Sequence, residues 1–237
     1  MQRYFATVNQ DYSVCFTKED EHHILHVMRM KKHDEIEVVS EQKVFLCRLD
    51  EVNPLKVSVI HEIASDVEIK EDITLLFALT KGDKIDLVLQ KATELGVKKV
   101  ALIASERTVV SYENKDTDKK LQRFNKIMKE ASEQCHRLII PELLGIYHLN
   151  NLPKEVFSDL NYVAYEKDAN DVHHMFEGLQ NGKSITILVG PEGGFSEQEI
   201  NKLTNQGFIR TSLGKRILRA ETAAIYALSV IGYLLER

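Results

Sequence analysis

The sequence predicts an α/β fold built on a mostly parallel sheet and preceded by a small β-rich domain. Residues 1–70 contain short β-rich stretches separated by polar turns, which are typical of a small barrel. From Ile73 onward strands and helices alternate, and the continuous apolar run ITLLFAL (73–79) is typical of a strand covered on both faces. We place the boundary in the charged stretch EIKED (68–72), so that the predicted domains span residues 1–70 and 73–237.

The first domain is predicted to hold one helix and several strands. Thr17 followed three residues later by Asp20 resembles a loose capping box, and the apolar residues that follow indicate a helix around Thr17–Met28. The predicted strands are EIEVV (35–39), KVFLCRL (43–49) and LKVSVIHEI (55–63).

The second domain is predicted to alternate strand and helix along its length. Apolar residues recur at helical spacing from Ile85 to Leu95, and Gly96 ends that helix. A longer helix is predicted from Leu121 to Cys135, and a last one runs to the end of the chain. The other strands are predicted at VKKVALI (97–103), NYVAYE (161–166), SITILVG (184–190) and FIRTSLG (208–214), joined by right-handed crossovers.

The stretch ILVGPEGGFSEQEI (187–200) concentrates glycine between a strand and a helix. Ser196 and Glu199 form a capping box, so the helix is predicted to begin at Ser196 and to end before Gly207. Glycine allows a positive φ and lets a ligand approach the backbone, while proline stiffens a turn. The residues of the connection with these properties are Gly190, Pro191, Gly193 and Gly194.

This connection is predicted to be a ligand loop, with plain punctuation between strand and helix as the alternative. At the carboxyl end of a parallel strand it would lie where open α/β sheets bind ligands. Neither a G-x-x-x-x-G-K-[ST] motif nor a G-x-G-x-x-G motif after an early strand occurs. A nucleotide loop of the Walker or Rossmann type is therefore not indicated.

A second loop of the same kind is predicted within SLGKRILRAETAAIYALSVIGYLL (212–235). The strand before it ends at Gly214, and apolar residues recur at helical spacing to the end of the chain. Small side chains let another backbone come close, either across a dimer seam or inside the monomer, and both interpretations stay open. The small residues are Ala220, Ala223, Ala224 and Ala227.

Composition limits the class of protein. Of the 237 residues 43% are hydrophobic and 28% charged, as in ordinary folded proteins, and no apolar run reaches the roughly 18 residues of a membrane span. The start of the chain has no basic region followed by an apolar stretch, so we expect a cytoplasmic protein. The net charge of −5 argues weakly against non-specific binding to polyanions.

We expect no metal site. The three cysteines, Cys15, Cys47 and Cys135, are far apart and never form a Cys-x-x-Cys pair, which indicates reduced packing residues. His22 and His26 are one helical turn apart, but a third ligand is lacking.

The two glycine loops carry a specific resemblance. LVGPEGGFSEQEI and LGKRILRAETA closely resemble the RsmE family, the ribosomal small-subunit RNA uridine N3-methyltransferases of the knotted SPOUT superfamily. Two departures concern turns: His33 stands where the family usually has glycine before Asp34, and His136 stands where EQ-x-G-R is usual. Other stretches that resemble the family in order and spacing are LQKATELGV (89–97), SERTVV (105–110), EQCHR (133–137) with Pro141, and RYF with HVMRMKKHDEI.

This resemblance implies a C-terminal SPOUT-type α/β domain with a deep trefoil knot and an N-terminal PUA-like or OB-like barrel. It also implies S-adenosylmethionine as cofactor and a homodimer through the knot and the C-terminal helix. The cofactor-binding residues implied are Leu188, Gly190, Pro191, Gly193, Gly194, Leu213, Gly214, Ile217, Leu218 and Ala220, of which Leu188, Leu213, Ile217 and Leu218 would form the adenine slot.

The substrate implied is a specific uridine of small-subunit (16S) ribosomal RNA in the assembled 30S subunit. Its N3 atom is reachable only in an unpaired or flipped base. When N3 loses its proton, charge spreads onto the flanking carbonyl oxygens, and the guanidinium of Arg219 is the candidate to stabilise it. Glu221 is either the base or only a cap of the last helix.

The RNA-binding candidates are basic residues and one aromatic. In the first domain charge would contact phosphate and Tyr4 would stack on a base, although the same charges are also consistent with a plain solvated surface. Arg137 has the alternative of a structural hydrogen-bond network. The candidates are Arg3, Tyr4, Arg29, Lys32, Arg107 and Arg137.

Two other functional interpretations stay open. One is a non-catalytic RNA-binding protein in which the α/β domain is only a scaffold, and the intact glycine loops disfavour it. The other is a SPOUT enzyme with a different target, such as a tRNA position or a 2′-hydroxyl. Only the resemblance, and no physical argument from the residues, selects the target atom.

Overall fold

The computed structural model describes residues 1–108, 117–165, 176 and 178–237. They divide into two compact units: unit 1 comprises Met1–Glu68 and Ser132–Ile139, and unit 2 comprises Ile69–Ala131 and Ile140–Arg237. The last residue of the predicted strand NYVAYE and the last two residues of SERTVV lie outside the described residues.

Unit 1 contains a four-stranded sheet and a short two-stranded one. Its elements are β1 (Arg3–Phe5), β2 (Thr7–Val8), β3 (Val14–Cys15), α1 (Lys18–His22), β4 (Glu35–Ser40), β5 (Lys43–Val52) and β6 (Leu55–Ile63). The larger sheet has the order β1-β4-β5-β6, and β2 pairs with β3. The three strands predicted here are confirmed, and alternate residues of β4 such as Ile36 and Val38 are fully buried, as expected of a strand with one covered face.

The helix predicted from Thr17 begins as expected. The backbone N–H of Asp20 donates to Oγ1 of Thr17 at 3.2 Å, so Thr17 caps α1. After His22 the chain continues as one π-helical turn, His23–Val27, in which the N–H of Met28 donates to the carbonyl of His23. The predicted single helix is therefore two short helical segments of different kinds.

Unit 2 is built on a six-stranded sheet in which every neighbouring pair is parallel, in the order β12-β10-β11-β7-β8-β9. The predicted parallel α/β architecture is confirmed. The other strands and α-helices among the described residues are β7 (Ile73–Ala78), α2 (Lys84–Glu94), β8 (Lys99–Ala104), α3 (Thr117–Gln134), β9 (Glu142–His148), β10 (Leu160–Ala164), β11 (Ile185–Val189), α4 (Glu197–Asn205), β12 (Phe208–Thr211) and α5 (Ala220–Leu235).

The sheet of unit 2 is covered on both faces. Along β7, Leu75 and Phe77 belong to an apolar cluster that includes residues of α2 and α5, whereas Leu76 belongs to a second cluster that includes residues of α4. All residues of β7 and β11 are buried. This explains why both strands read as continuous apolar runs in the sequence.

Two features of unit 2 differ from the sequence prediction. The edge strand β9 is not predicted, because ELLGIYH is neither continuously apolar nor strictly alternating, and all of its residues remain partly or fully exposed. β12 ends at Thr211 instead of Gly214, so the connection to α5 is longer than expected. The capping box at Ser196 is present, and α4 ends before Gly207 as predicted.

His33 and His136, which stand where the RsmE family usually has glycine, have left-handed backbones with φ of 75° and 62°. The two turns thus keep a conformation that glycine adopts most easily. At His33 the backbone N–H donates to the carbonyl of Leu49 at 2.8 Å, which ties the turn before β4 to β5. Histidine is among the residues that tolerate this region better than most, but at a cost in strain.

Replacing His33 by glycine is expected to raise the free energy of unfolding by about 0.5–1 kcal/mol, because left-handed strain of roughly 1–2 kcal/mol is only partly offset by the unfolded-state entropy of glycine. Urea unfolding followed by circular dichroism measures the change. His61→Gly is the matched control, since His61 is also exposed but lies in β6. In β6 glycine should lower the free energy of unfolding. If His33→Gly lowers it by as much as His61→Gly does, the backbone at His33 is not strained.

Candidate active site

A cavity of about 430 Å³ lies at the carboxyl ends of β10, β11 and β12. Its walls are two connections, the glycine loop (residues 190–195, between β11 and α4) and the arginine loop (residues 212–219, between β12 and α5). The lining is completed by Ala164 and Tyr165 at the end of β10, Val189 of β11, and Ala220 and Ala223 of α5. A parallel sheet brings these strand ends to one edge, as the sequence predicts for a ligand loop.

The glycine loop owes its shape to two of its glycines. Gly194 has a φ of +63°, and its N–H donates to the carbonyl of Pro191 at 2.9 Å, closing a tight turn. A Cβ on Gly190 would lie 2.9 Å from Cε2 of Phe195, a ring that is only 1% exposed. Gly193 does not have the positive φ that the sequence prediction gave it; a Cβ there would lie 3.3 Å from Cβ of Arg107.

Two cations outside the cavity lining hold the glycine loop. Nη1 of Arg107 donates to the carbonyl of Gly193 at 2.7 Å, and Nζ of Lys84 donates to Oε1 of Glu192 at 2.7 Å. The hydrogen bond from Lys84 and the nearby charges lower the pKa of Glu192, against the opposing effect of burial. Contacts with Arg107 and Lys84 therefore help to fix the conformation of the glycine loop.

The arginine loop exposes both apolar and cationic side chains. Leu213 and Leu218 are half-buried and pack against the core, whereas Ile217 is 89% exposed. Arg219 is the N-cap residue of α5; it is exposed and lines the cavity. The side chains that line the cavity on this side are thus mainly aliphatic, with Arg219 and Arg216 as charged groups.

The structure brings together nearly all the residues that the sequence assigns to the cofactor. The exception is Leu188, which is fully buried in the apolar cluster with residues of α4 and does not line the cavity. Successive strand residues point to opposite faces, so Val189 and not Leu188 reaches this cavity. The assigned residues that line it are Gly190, Pro191, Gly193, Gly194, Leu213, Gly214, Ile217, Leu218 and Ala220.

Glu221 lies in the first turn of α5 but not among the residues that line the cavity. Its Oε2 atom is buried, accepts no hydrogen bond from the described residues, and is 3.7 Å from Nζ of Lys84. This placement argues against the role of base, which is one of the two roles that the sequence left open for Glu221. Sequence reasoning missed Lys84, because no local pattern connects it to Glu192 or Glu221.

Three of the RNA-binding candidates in unit 1 are buried, which corrects the prediction for them. Arg3 is 7% exposed and pairs with Glu37 at 2.8 Å, and Arg137 is 4% exposed and pairs with Glu68 at 2.7 Å. Both charges are already satisfied inside the protein, which is the hydrogen-bond network considered as the alternative for Arg137.

The prediction that Tyr4 stacks on a base is also wrong. Its ring is 2% exposed, and its hydroxyl is hydrogen-bonded to Nδ1 of His23 at 2.9 Å. Burial, followed by the charges of Glu133 and Asp20, raises the pKa of Tyr4 to about 12. A buried ring offers no face to a base, whereas Tyr12, which is 65% exposed, does.

The other cationic candidates are on the surface. Arg29 and Lys32 are exposed on the turn that precedes β4, and Arg107 is exposed beside the glycine loop. Within the described parts of the chain, no three His, Cys, Asp or Glu side chains converge on a possible metal position. No helix in those parts is long and apolar enough to cross a membrane.

Gly190→Ala is expected to weaken binding of S-adenosylmethionine, the cofactor that the resemblance implies, by about tenfold or more. The added methyl group would overlap the buried ring of Phe195, and forcing a packed group to move typically costs about 1–3 kcal/mol, each 1.4 kcal/mol being tenfold in affinity. Isothermal titration calorimetry measures the dissociation constant.

The matched control is Gly232→Ala on α5, where the new Cβ would make an ordinary contact of 3.8 Å with Ile69. It should keep the affinity and raise stability, because alanine is the better helix residue. If Gly190→Ala leaves the affinity for S-adenosylmethionine unchanged, the glycine loop is not a ligand loop but a simple connection between strand and helix.

Comparison with known proteins identifies the family. Residues 67–232 match the family described as RNA methyltransferase domain, and residues 16–60 match the RNA methyltransferase PUA domain. Ribosomal RNA small subunit methyltransferase E of Bacillus subtilis (strain 168) is 36% identical over 250 residues, covering 100% of this chain and 98% of the relative.

Two solved structures are similar over nearly their whole length. Ribosomal RNA small subunit methyltransferase E from Neisseria gonorrhoeae, bound to S-adenosyl methionine, has a TM-score of 0.85 and 30% identity, covering 99% of this chain and 98% of that one. A methyltransferase from Legionella pneumophila in complex with the cofactor SAM has a TM-score of 0.87 and 28% identity, covering 98% and 97%. The resemblance inferred from the two glycine loops is confirmed: this chain, with its PUA domain, belongs to the RNA methyltransferase family of ribosomal RNA small subunit methyltransferase E.

Proposed function

We propose that this protein transfers the methyl group of S-adenosylmethionine to N3 of a uridine in small-subunit ribosomal RNA. The observation that carries the proposal is the cavity at the strand ends, which has glycine backbone on one wall and an exposed arginine, Arg219, on the other. The names of the relatives support the RNA substrate, and the two similar structures with bound cofactor support the methyl donor.

The cavity fits this donor in size and chemistry. Small-molecule sites commonly enclose about 300–1,000 Å³ and combine apolar walls with a few polar groups. Leu213, Ile217 and Leu218 supply an apolar surface for adenine, and the tight backbone at Gly190 and Gly194 leaves room for close approach. When bound there, S-adenosylmethionine would supply an electrophilic methyl group on a sulfonium.

Arg219 is the proposed catalytic residue. Its guanidinium lines the cavity and is exposed, so a uracil placed at the mouth can accept hydrogen bonds from it. As N3 gives up its proton, negative charge develops on the two carbonyl oxygens beside it, and a fixed cation stabilises that charge more than it stabilises the neutral base. We do not assign the base to Glu221, whose buried carboxylate lies outside the lining.

RNA would be held by exposed cations on both units. Arg29 and Lys32 of unit 1, together with the exposed ring of Tyr12, offer phosphate contacts and stacking. Lys215 and Arg216 are exposed next to Arg219 in unit 2. A uridine that must be unpaired in a shaped context favours the assembled 30S subunit in the cytoplasm over a short oligonucleotide as substrate.

We also propose that the C-terminal domain is knotted and that the protein is a homodimer through the knot region and α5. The small residues of α5 do not supply the seam: Ala224 and Ala227 are fully buried in the core of unit 2, which is the second of the two interpretations left open by the sequence. Instead, Tyr226 and Tyr233 are 38% and 58% exposed, one above the other on the helix surface. Large exposed aromatics at helical spacing are suited to a partner helix.

Tyr226→Arg is expected to shift the protein from dimer to monomer in sedimentation velocity, because it places a charge in an apolar contact. Asn201→Arg on the exposed face of α4 is the matched control and should leave the dimer intact. Ala224→Arg is unsuitable, since Ala224 is fully buried and its variant would report on folding. A protein that is monomeric before any substitution would refute the dimer.

Arg219→Ala is expected to lower the single-turnover methylation rate by about 10²–10³-fold, the usual effect of losing one charge-stabilising donor, while donor affinity stays within a fewfold of normal. The assay uses 30S subunits from cells that lack the gene, with mass spectrometry of the nucleosides. N3-methyluridine is the expected product.

The competing interpretations give different results in the same assay. A methylated 2′-hydroxyl or a product on tRNA would replace the proposed target, and RNA binding without any methylated nucleoside would indicate a non-catalytic RNA-binding protein. If the Arg219→Ala enzyme methylates at the normal rate, Arg219 has no role in the chemical step.

A further inference from the structure

Lys84 joins segments that lie far apart in the chain. It is the first residue of α2, the helix that follows β7. Its ammonium donates a hydrogen bond to Glu192 of the glycine loop at 2.7 Å and lies 3.7 Å from Oε2 of Glu221 in the first turn of α5. One cation therefore contacts a carboxylate within the glycine loop and a carboxylate just after the arginine loop.

The two carboxylates depend on Lys84 to different degrees. The side chain of Glu192 is 47% exposed, so water can solvate it, whereas that of Glu221 is 13% exposed. Oε2 of Glu221 is buried and accepts no hydrogen bond from the described residues, and the ammonium of Lys84 lies within ion-pair distance of it, so this ammonium offsets its charge in part. The hydrogen bond to Glu192 and the charges of both carboxylates raise the pKa of Lys84, which keeps it cationic.

Arg219 lies within the same electrostatic environment. Arg219 lines the same cavity as Glu192, and its charge opposes the rise in the pKa of Lys84. Arg219 is also the residue two positions before Glu221, at the N-cap of α5. Removing Lys84 would take away the cation that is hydrogen-bonded to Glu192, on which the charge of Lys81 also acts, and the cation that lies 3.7 Å from Glu221.

We propose that Lys84 is a positioning residue that keeps Arg219 free to face the substrate. It neutralises Glu192 and Glu221 and sets the spacing between the glycine loop and the start of α5. Without it, the guanidinium of Arg219 would pair with these carboxylates and no longer with the uracil oxygens. This inference rests on the proposed function, because it assigns to Arg219 the role of stabilising charge on the base.

The first test replaces Lys84 by methionine, which keeps the length of the side chain and removes the charge. We expect kcat for methylation of 30S subunits to fall by about tenfold and the KM for S-adenosylmethionine to rise, in keeping with the loss of a partly exposed charge-assisted contact. Lys84→Arg should restore most of both values. Lys91→Met is the matched control, since Lys91 lies on the same helix and pairs with Glu94 at 2.8 Å away from the cavity lining.

The second test distinguishes positioning of Arg219 from a merely structural contact. Adding Glu192→Gln to Lys84→Met removes one of the two carboxylates that would attract Arg219. We expect kcat to recover at least threefold relative to Lys84→Met, a non-additive effect that only coupled groups show. Lys84→Gln replaces Lys84→Met if thermal unfolding shows that the methionine variant is not folded.

The outcomes separate this inference from the proposed function. If the unmodified protein methylates no ribosomal RNA, the proposed function fails, and the positioning of Arg219 fails with it, whatever the calorimetric affinity for S-adenosylmethionine. If the unmodified protein is active, unchanged kinetics in Lys84→Met would overturn the inference alone. The inference would also be overturned if adding Glu192→Gln to Lys84→Met left kcat unchanged or lowered it further.

Discussion

Parallel pairing of β10, β11 and β7 is the constraint on which the rest of the site depends. Parallel neighbours end at the same edge of a sheet, so the connections that leave β7, β11 and β12 approach one another although the chain separates them widely. Every residue of β7 and β11 is buried and most are apolar, so both faces of these strands are covered, as is typical of parallel sheets. The cavity lies at that edge, with Arg219 in its lining and Lys84 hydrogen-bonded to Glu192 of the glycine loop.

The core and the glycine loop are physically coupled through Phe195. This ring belongs to the apolar cluster on the α4 side of the sheet, yet it fills the space that a side chain on Gly190 would need. The loop is thus shaped by packing beneath it as well as by glycine conformations within it. Packing that holds a loop in place reduces the conformational entropy that the loop loses on binding a ligand.

The spacing of apolar residues predicted most of the strands and helices, namely those that are buried on one face or on both faces. β7 and α4 show this best, because a continuous apolar run and a capping box each leave few alternatives. The edge strand β9 escaped prediction because no face of it is fully buried. Leu188 was misassigned by resemblance, although strand alternation alone places it opposite Val189.

Charges were the least predictable part of the site. Arg3 and Arg137 look like surface cations in the sequence, and only the folded chain shows that carboxylates far along the chain bind them. Lys84 gave no signal for the same reason: Glu192 lies 108 residues away. The glycine loop and the arginine loop, in contrast, were recognisable in the sequence because the residues of each loop are consecutive.

The composition of unit 1 bears on how this protein can be divided. Ser132–Ile139 belongs to unit 1 although most of that unit is the first 68 residues. The N–H of Phe5 donates to Glu133, and Glu68 accepts hydrogen bonds from Arg137 and from the N–H of Leu138. A fragment that ends at Glu68 would expose those groups and the apolar surface around them. Unit 1 is therefore discontinuous in sequence, and a fragment that keeps these contacts must include the 132–139 segment, supplied through a linker.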